Sequence, residues 1–121
     1  MKLPGPNHPI TTTRNGNCVR VSLAGQVIAD STRTLTLQEA GYRPARYVPR
    51  TDANMSLLKP TSHATHCPYK GDASYFSIFV NGCITDNAVW CYEQPFSAMA
   101  EIPGHLAFYP NRVDAIEESS A

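Results

Sequence analysis

The residues best suited to chemistry are crowded into residues 62–75, whose sequence is SHATHCPYKGDASY. The segment combines a thiol, an amine, a carboxylate and two imidazoles, carried by Cys67, Lys70, Asp72, His63 and His66. A cysteine attacks as its thiolate, and a neighbouring cation or histidine favours that form. Proline and glycine within the segment predict an irregular backbone. We therefore interpret the segment as a site on a loop.

Each of these side chains also has a plainer interpretation, and the sequence leaves both open. Cys67 is either a nucleophile or a small residue packed under a tight turn, because free cysteines are commonly buried. Lys70 precedes Gly71, where a backbone without Cβ lets a ligand approach closely. The lysine is then either a point charge for a phosphate or carboxylate, or a surface residue paired with Asp72. His66 is either a general base or a residue that stabilises the loop.

A metal centre is not predicted, although His63, His66 and Cys67 are all possible ligands. Zinc needs three or four ligands that converge on one point. Neighbouring side chains alternate in extended backbone, so His66 and Cys67 are expected to point apart. We predict no metal and no cofactor.

Aromatic residues on the flanking segments are expected either to fill the core or to form the walls of a cleft. Trp90 and Tyr92 share one strand face, and Tyr75 has the opposite parity to the apolar residues that follow it. If those apolar residues fill the core, Tyr75 faces a second surface, and Tyr47 and Arg50 close its side. The predicted catalytic residues are Cys67, Lys70, His66 and Tyr75, and the predicted ligand-binding residues are Tyr47, Arg50, His63, Gly71, Trp90 and Tyr92.

Composition limits the classes of function. The chain has 121 residues, ten basic and ten acidic side chains, and no run of lysine and arginine. Binding to nucleic acid needs a basic surface, so a nucleic-acid partner is not expected. No apolar run approaches the ~20 residues that span a bilayer, and the N-terminus lacks the apolar core of a signal peptide. We predict a cytoplasmic protein without a membrane partner, whose cysteines are reduced.

Short alternating segments separated by turn residues indicate a mainly β fold. Asn81-Gly82 is the strongest hairpin signal, because both positions favour positive φ. Two short helices are predicted, one from Thr51 to Pro60 and one beginning at Pro95. About seven short strands are predicted, at residues 18–23, 27–29, 32–37, 73–80, 83–92, 106–109 and 112–116. Residues 42–48 are expected to be extended, and the last two strands to form a hairpin.

Five segments in this order resemble the bacterial domain-of-unknown-function 427 family: GQVIADS, RYVPRTD, THCPYKGDASY, NAVWCYEQPF and LAFYPNRVD. The resemblance covers about residues 18–118. It implies a small, stand-alone, cytoplasmic protein with a strongly bent sheet or partly open barrel. This tent-like fold is also found in methionine sulfoxide reductase B and the zinc protein Mss four.

The zinc of those two relatives does not transfer, because this chain has no C-x-x-C pair. Some members of the family carry a nucleotidyltransferase-type label. The residues that such chemistry needs are missing here, since no Gly-Ser is followed by an Asp-x-Asp pair.

The sequence thus predicts an extended lead-in over residues 1–16, one β-rich domain over residues 17–118 and a polar tail over residues 119–121. The predicted function is a cleft around Cys67 and Lys70 that binds a polar or anionic small molecule and in which Cys67 is a candidate catalyst. The alternatives are a non-catalytic binding or sensor module, and a structural or interaction protein in which the motif only folds the loop. The protein is expected to be a monomer or a homodimer.

Overall fold

The fold consists almost entirely of short β-strands. A computed structural model describes residues 1–120 and contains ten strands. They are β1 (Ile10–Asn15), β2 (Cys18–Leu23), β3 (Gln26–Ser31), β4 (Thr34–Glu39), β5 (Ala45–Tyr47), β6 (Leu58–Cys67), β7 (Gly71–Val80), β8 (Cys83–Cys91), β9 (Leu106–Phe108) and β10 (Ala115–Ser119). The helical segments described are three single 3-10 turns, at Arg50–Asp52, Met55–Leu57 and Ser97–Met99. The prediction of a mainly β protein is confirmed.

The strands form three antiparallel sheets, in the orders β1-β4-β5, β10-β2-β3 and β6-β7-β8-β9. The first and third sheets meet where Val48 and Leu106 exchange backbone hydrogen bonds of 2.7 and 2.8 Å. Residues 1–120 form no closed barrel, and the prediction of one strongly bent sheet or partly open barrel with seven strands is wrong. The sheets do not continue as one ladder, because Val48 and Leu106 form only an isolated bridge between the first and the third.

Both predicted helices are wrong. After Asn54, the chain makes one 3-10 turn over Met55–Leu57, and Leu58 then pairs with Ile78 as a strand. Near Pro95, the backbone at Phe96 is still extended, with φ −59° and ψ 155°. Only a single turn then fits before Pro103, and so short a segment cannot sustain an α-helix. At the first of these segments, the pairing of Leu58 with β7 outweighed the helical pattern.

The central hairpin is confirmed. β7 and β8 pair through a turn in which Asn81 has φ 53° and Gly82 has φ 76°. Strand β2 also has the predicted bounds, Cys18–Leu23.

Two strands were not predicted, and one predicted pairing is wrong. β1 lies within the predicted lead-in, and β6 occupies most of the predicted loop, leaving only residues 68–70 as a turn. Both strands are rich in polar, exposed residues, so they lack the apolar alternation that marks a strand. The last two strands form no hairpin, because β10 pairs with β2 and β9 pairs with β8. Of the predicted tail, Ser119 ends β10, and Ala121 lies outside the described residues.

The central sheet separates two hydrophobic clusters. Alternation along β7 sends Phe76, Ile78 and Val80 into one cluster, while Ala73 and Tyr75 enter the other. The predicted opposite orientation of Tyr75 is therefore confirmed. The first cluster is almost wholly aliphatic, whereas the second is rich in tyrosine. Within residues 1–120, no helix is long and apolar enough to cross a membrane.

Thr34 offers a test of the packing. Its side chain is fully buried, and its hydroxyl has no hydrogen-bond partner among residues 1–120. We expect Thr34→Val to raise the free energy of unfolding by about 1 kcal/mol, because the desolvated hydroxyl is removed with little change in shape. The matched control is Thr36→Val, since the Thr36 hydroxyl accepts a bond from Asn15. Urea unfolding that shows Thr34→Val to be destabilising would contradict this view.

Candidate functional site

An open cavity of about 420 Å³ lies between the β1-β4-β5 sheet and the β7-β8 hairpin. Six aromatic side chains line it: Tyr42, Tyr47, Tyr75, Trp90, Tyr92 and Tyr109. The polar side chains in its lining are Glu39, Arg43, Thr65 and Lys70. We call this space the aromatic cavity. It brings together five of the residues predicted for the site, namely Tyr47, Lys70, Tyr75, Trp90 and Tyr92.

Hydrogen bonds hold the aromatic rings in place. Trp90 donates its indole N–H to the Tyr47 hydroxyl at 3.0 Å, and the two rings meet edge to face. The Tyr75 hydroxyl lies 2.9 Å from the Thr65 hydroxyl and 3.3 Å from that of Tyr109. Buried aromatic side chains with satisfied polar ends make rigid walls.

Burial raises the pKa of Tyr47, Tyr92 and Tyr109 above the ordinary tyrosine value. These phenols therefore stay protonated at neutral pH. They can donate hydrogen bonds to a ligand, but they cannot act as general bases there.

Lys70 is buried and already paired within the protein. It is 8% exposed, and its ammonium group forms an ion pair with Oε1 of Glu39. The other carboxylate oxygen, Oε2, lies 2.7 Å from Nε2 of His8. Burial on its own would raise the pKa of Glu39, but the hydrogen bonds from Lys70 and His8 hold that pKa below its usual range. Lys70 is thus part of an internal ion pair and not a free cation.

The predicted catalytic residues other than Lys70 and Tyr75 do not line the aromatic cavity. Cys67 is half-buried beside the tyrosine-rich cluster, and its Sγ lies 3.8 Å from the Lys70 ammonium. His66 points away from that cluster and contacts Asp72 at 2.7 Å on the exposed side of the hairpin. His63 lies edge-on against the Tyr75 ring, with centroids 4.4 Å apart. The thiol and the imidazoles therefore do not converge.

Arg50 and Gly71 have roles away from the cavity lining. Arg50 contacts Glu93 at 2.5 Å, the Gly104 carbonyl at 3.2 Å and Cys91 Sγ at 3.3 Å. A Cβ added to Gly71 would lie 3.6–3.7 Å from backbone atoms of residues 94–96, so the chain passes close to this glycine. This packing holds the chain after β8 against the turn that carries Lys70, whose carbonyl accepts the Phe96 N–H at 2.9 Å.

A second cavity, of about 460 Å³, lies under β10. Its floor is apolar and includes Val19, Val21 and Phe108. Several charged groups at its rim have partners in the protein, since Arg46 pairs with Glu118 at 2.9 Å and Asp114 accepts the Ala24 N–H at 2.7 Å. Arg43 lines this cavity as well as the aromatic cavity, and its guanidinium has no hydrogen-bond partner among residues 1–120. The slightly larger volume does not make the second cavity the better site, because Phe108 is the one aromatic side chain in its lining and Arg46 and Glu118 already pair with each other.

A family model described as a domain of unknown function (DUF427) matches residues 11–119. The chain belongs to the DUF427 family. The family resemblance drawn from the five sequence segments is thereby confirmed. No curated protein matches the chain. The DUF427 match covers every residue that lines the aromatic cavity.

Sequence reasoning missed several residues that line the aromatic cavity of this DUF427 chain, namely Glu39, Tyr42, Arg43, Thr65 and Tyr109. Glu39 did carry a signal. It has the same parity as Leu35 and Leu37, which point into the core from β4, so alternation alone places a carboxylate on the inward face. The other four residues come from turns and an exposed strand, where no sequence periodicity indicates a direction.

Within residues 1–120, no three side chains of histidine, cysteine, aspartate or glutamate lie close enough to share a metal ion. The four cysteines are free thiols in different environments. Cys83 is exposed, Cys67 is half-buried and Cys91 is buried.

The environments of the thiols predict an order of alkylation. Burial, assisted by the Glu93 carboxylate, raises the pKa of Cys91 to about 12. Cys91 is therefore expected to resist iodoacetamide up to about pH 10, because its reactive thiolate does not form, whereas exposed Cys83 reacts readily. Peptide mass spectrometry on native and urea-unfolded DUF427 protein measures both rates. Fast native labelling of Cys91 would contradict the assigned burial.

Proposed function

We propose that this protein binds a polar or anionic small molecule in the aromatic cavity, as a non-catalytic binding module. One observation carries the proposal, namely that six aromatic walls, a buried ion pair and an exposed arginine share one open cavity of about 420 Å³. Small-molecule sites in proteins are clefts of roughly this size with apolar walls and a few placed polar groups.

The charges favour a ligand that carries a negative group. The charges of Lys70 and Glu39 neutralise each other, so this pair offers a ligand fixed hydrogen-bonding groups but no net charge. Arg43 is exposed at the cavity and has no side-chain partner within residues 1–120. An unpaired guanidinium group at the cavity attracts anionic ligands towards it.

Trp90 provides a direct assay. It is the single tryptophan of the chain and lines the aromatic cavity. We would screen aromatic and aliphatic carboxylates and phosphates, and we expect those that bind to change the fluorescence of Trp90. They should also raise the melting temperature of the protein, since a ligand that binds only the folded state stabilises it.

Paired variants make this test specific. Ala45→Phe narrows the aromatic cavity and should abolish both responses, whereas Ala98→Phe, at an exposed position outside it, should preserve them. If no compound in the screen gives a response that Ala45→Phe removes, the binding proposal fails. The structural or interaction interpretation then becomes the better one.

Catalysis through Cys67 is the second candidate, favoured by the 3.8 Å separation between its Sγ and the Lys70 ammonium. The position of Cys67 outside the cavity lining favours the binding module instead. We expect Cys67→Ser to leave ligand affinity unchanged. A covalent adduct on Cys67, or a product whose formation requires the thiol, would replace the binding proposal with the enzymatic one.

A further inference from the structure

Strand β8 contains a pronounced bulge beside the aromatic cavity. Phe76 pairs with Val89 and Ile78 with Thr85, so β7 advances by two residues where β8 advances by four. Asn87 lies in this bulge with φ 48°, inside the strand. The other non-glycine residues with positive φ lie in turns: Ala24, Ala40 and Asn81. Bulges redirect side chains and are common beside functional sites, and strain inside a strand suggests a function.

The protein holds Asn87 firmly in this conformation. Its backbone N–H donates to the Ser77 hydroxyl at 3.1 Å, and its side-chain oxygen accepts a bond from the Thr61 hydroxyl at 2.7 Å. These bonds orient the amide so that its NH₂ group, which has no partner among residues 1–120, remains available as a donor.

Asn87 lines a groove that adjoins the aromatic cavity. The groove has a volume of about 410 Å³ and is lined by His63, Tyr75, Asn87, Tyr109, Asn111 and Arg112. Tyr75 and Tyr109 line both spaces, and the hydroxyls of these two shared residues lie 3.3 Å apart. We call the second space the outer groove.

The groups of the outer groove suit an oxyanion. Arg112 is exposed, and its guanidinium has no side-chain partner within residues 1–120. Asn87 adds an oriented amide donor, while Asn111 adds a second amide. No aspartate or glutamate belongs to the lining. A guanidinium with amide and hydroxyl donors is the combination that binds carboxylate or phosphate oxygens.

We propose that the outer groove is an oxyanion subsite, which holds the carboxylate or phosphate of a ligand whose aromatic body lies in the aromatic cavity. This inference rests on the proposed function and narrows its ligand class to aromatic acids or aromatic phosphate esters. Tyr75 and Tyr109 would contact the ligand where the ring joins the anionic group.

Three related probes test the subsite by isothermal titration calorimetry: 1-naphthol, 1-naphthoate and 1-naphthyl phosphate. At least one of the two anions should bind the wild-type protein about tenfold more tightly than the neutral naphthol. The anion with the larger gain in affinity over 1-naphthol shows whether the subsite prefers a carboxylate or a phosphate. Arg112→Gln should remove this advantage while preserving the affinity for naphthol.

Matched variants separate the subsite from general charge effects. Asn87→Gly removes the amide but tolerates positive φ, so the bulge is retained, and the anion advantage should shrink. Arg14→Gln should leave it unchanged, because Arg14 is exposed on β1 and lines neither space.

The possible failures are distinct. If Arg43→Gln removes the anion advantage and Arg112→Gln does not, the anion lies elsewhere in the aromatic cavity and the subsite is overturned. Equal affinity of wild-type protein for all three probes also overturns the subsite but leaves the proposed binding function standing. If none of the probes binds wild-type protein, both proposals fail for aromatic ligands.

Discussion

Glu39→Ala is expected to lower the free energy of unfolding by about 3 kcal/mol, because it leaves the buried Lys70 ammonium without its counter-charge. Lys70 is 8% exposed, and the Glu39 side chain is 17% exposed, so little water can replace the lost carboxylate. His8 would lose its partner as well. Urea unfolding at neutral pH, followed by Trp90 fluorescence, measures the change.

A double variant provides the control. Replacing both members of a buried ion pair with apolar residues of similar size is often nearly neutral. Glu39→Leu combined with Lys70→Met should therefore recover most of the stability that Glu39→Ala loses. If the double variant is as unstable as the single one, the ion pair is not the source of the effect. Packing or the contact with His8 would then account for it.

The same ion pair predicts a dependence on pH. The pKa of Glu39 in the folded protein is below its ordinary value of 4.5, so the unfolded chain takes up the proton first as pH falls. The stabilisation by Glu39 is complete above that value and is lost as pH falls through the lowered pKa. Wild-type protein should consequently lose stability more steeply than Glu39→Gln between about pH 5 and pH 3. Equal slopes for the two proteins would contradict this assignment.

Gly71→Ala is expected to lower the free energy of unfolding by about 2 kcal/mol, because Gly71 has φ 111°, a conformation that residues with a Cβ rarely adopt. The added methyl would meet its nearest atoms at 3.6 Å, an ordinary contact distance, so the cost arises from the backbone and not from a clash. Relief of this strain would shift the turn that carries Lys70. We therefore also expect weaker ligand binding in the aromatic cavity.

Gly41→Ala is the matched control for this substitution. Gly41 does not have positive φ, and a Cβ there would meet no atom within 4 Å. Gly41→Ala should raise the free energy of unfolding slightly, since alanine restricts the unfolded chain more than glycine does. If Gly71→Ala changes the free energy of unfolding no more than Gly41→Ala does, the turn accommodates alanine without strain.

Local pattern predicted much of the strand content. The β7-β8 hairpin followed from Asn81-Gly82 and from the alternation on either side, because both are properties of adjacent residues. Strand β6 was missed for a local reason too. It is an exposed strand at the sheet edge, where neither face needs apolar residues. Strand β10 was approximately located but wrongly paired, because its partner β2 lies far away in sequence.

The sequence by itself determined the β class, the family and the central hairpin. It also determined that the Tyr75 side chain lies on the face of β7 opposite the aliphatic core. It also drew attention to Lys70, Trp90 and Tyr92, which do line the aromatic cavity. Alternation reports which face a side chain occupies, and that information is carried by neighbouring residues.

Only the tertiary structure decided what those faces meet. The ion pair of Lys70 with Glu39 joins residues 31 positions apart, and the hydroxyl contact of Tyr75 with Tyr109 spans 34 positions. By contrast, the divergence of Cys67 and His66 is local, because adjacent residues of β6 lie on opposite faces, as alternation predicts. The pairing of strands distant in sequence sets the long-range contacts, and pairing depends on the packing of all three sheets, which no single segment encodes.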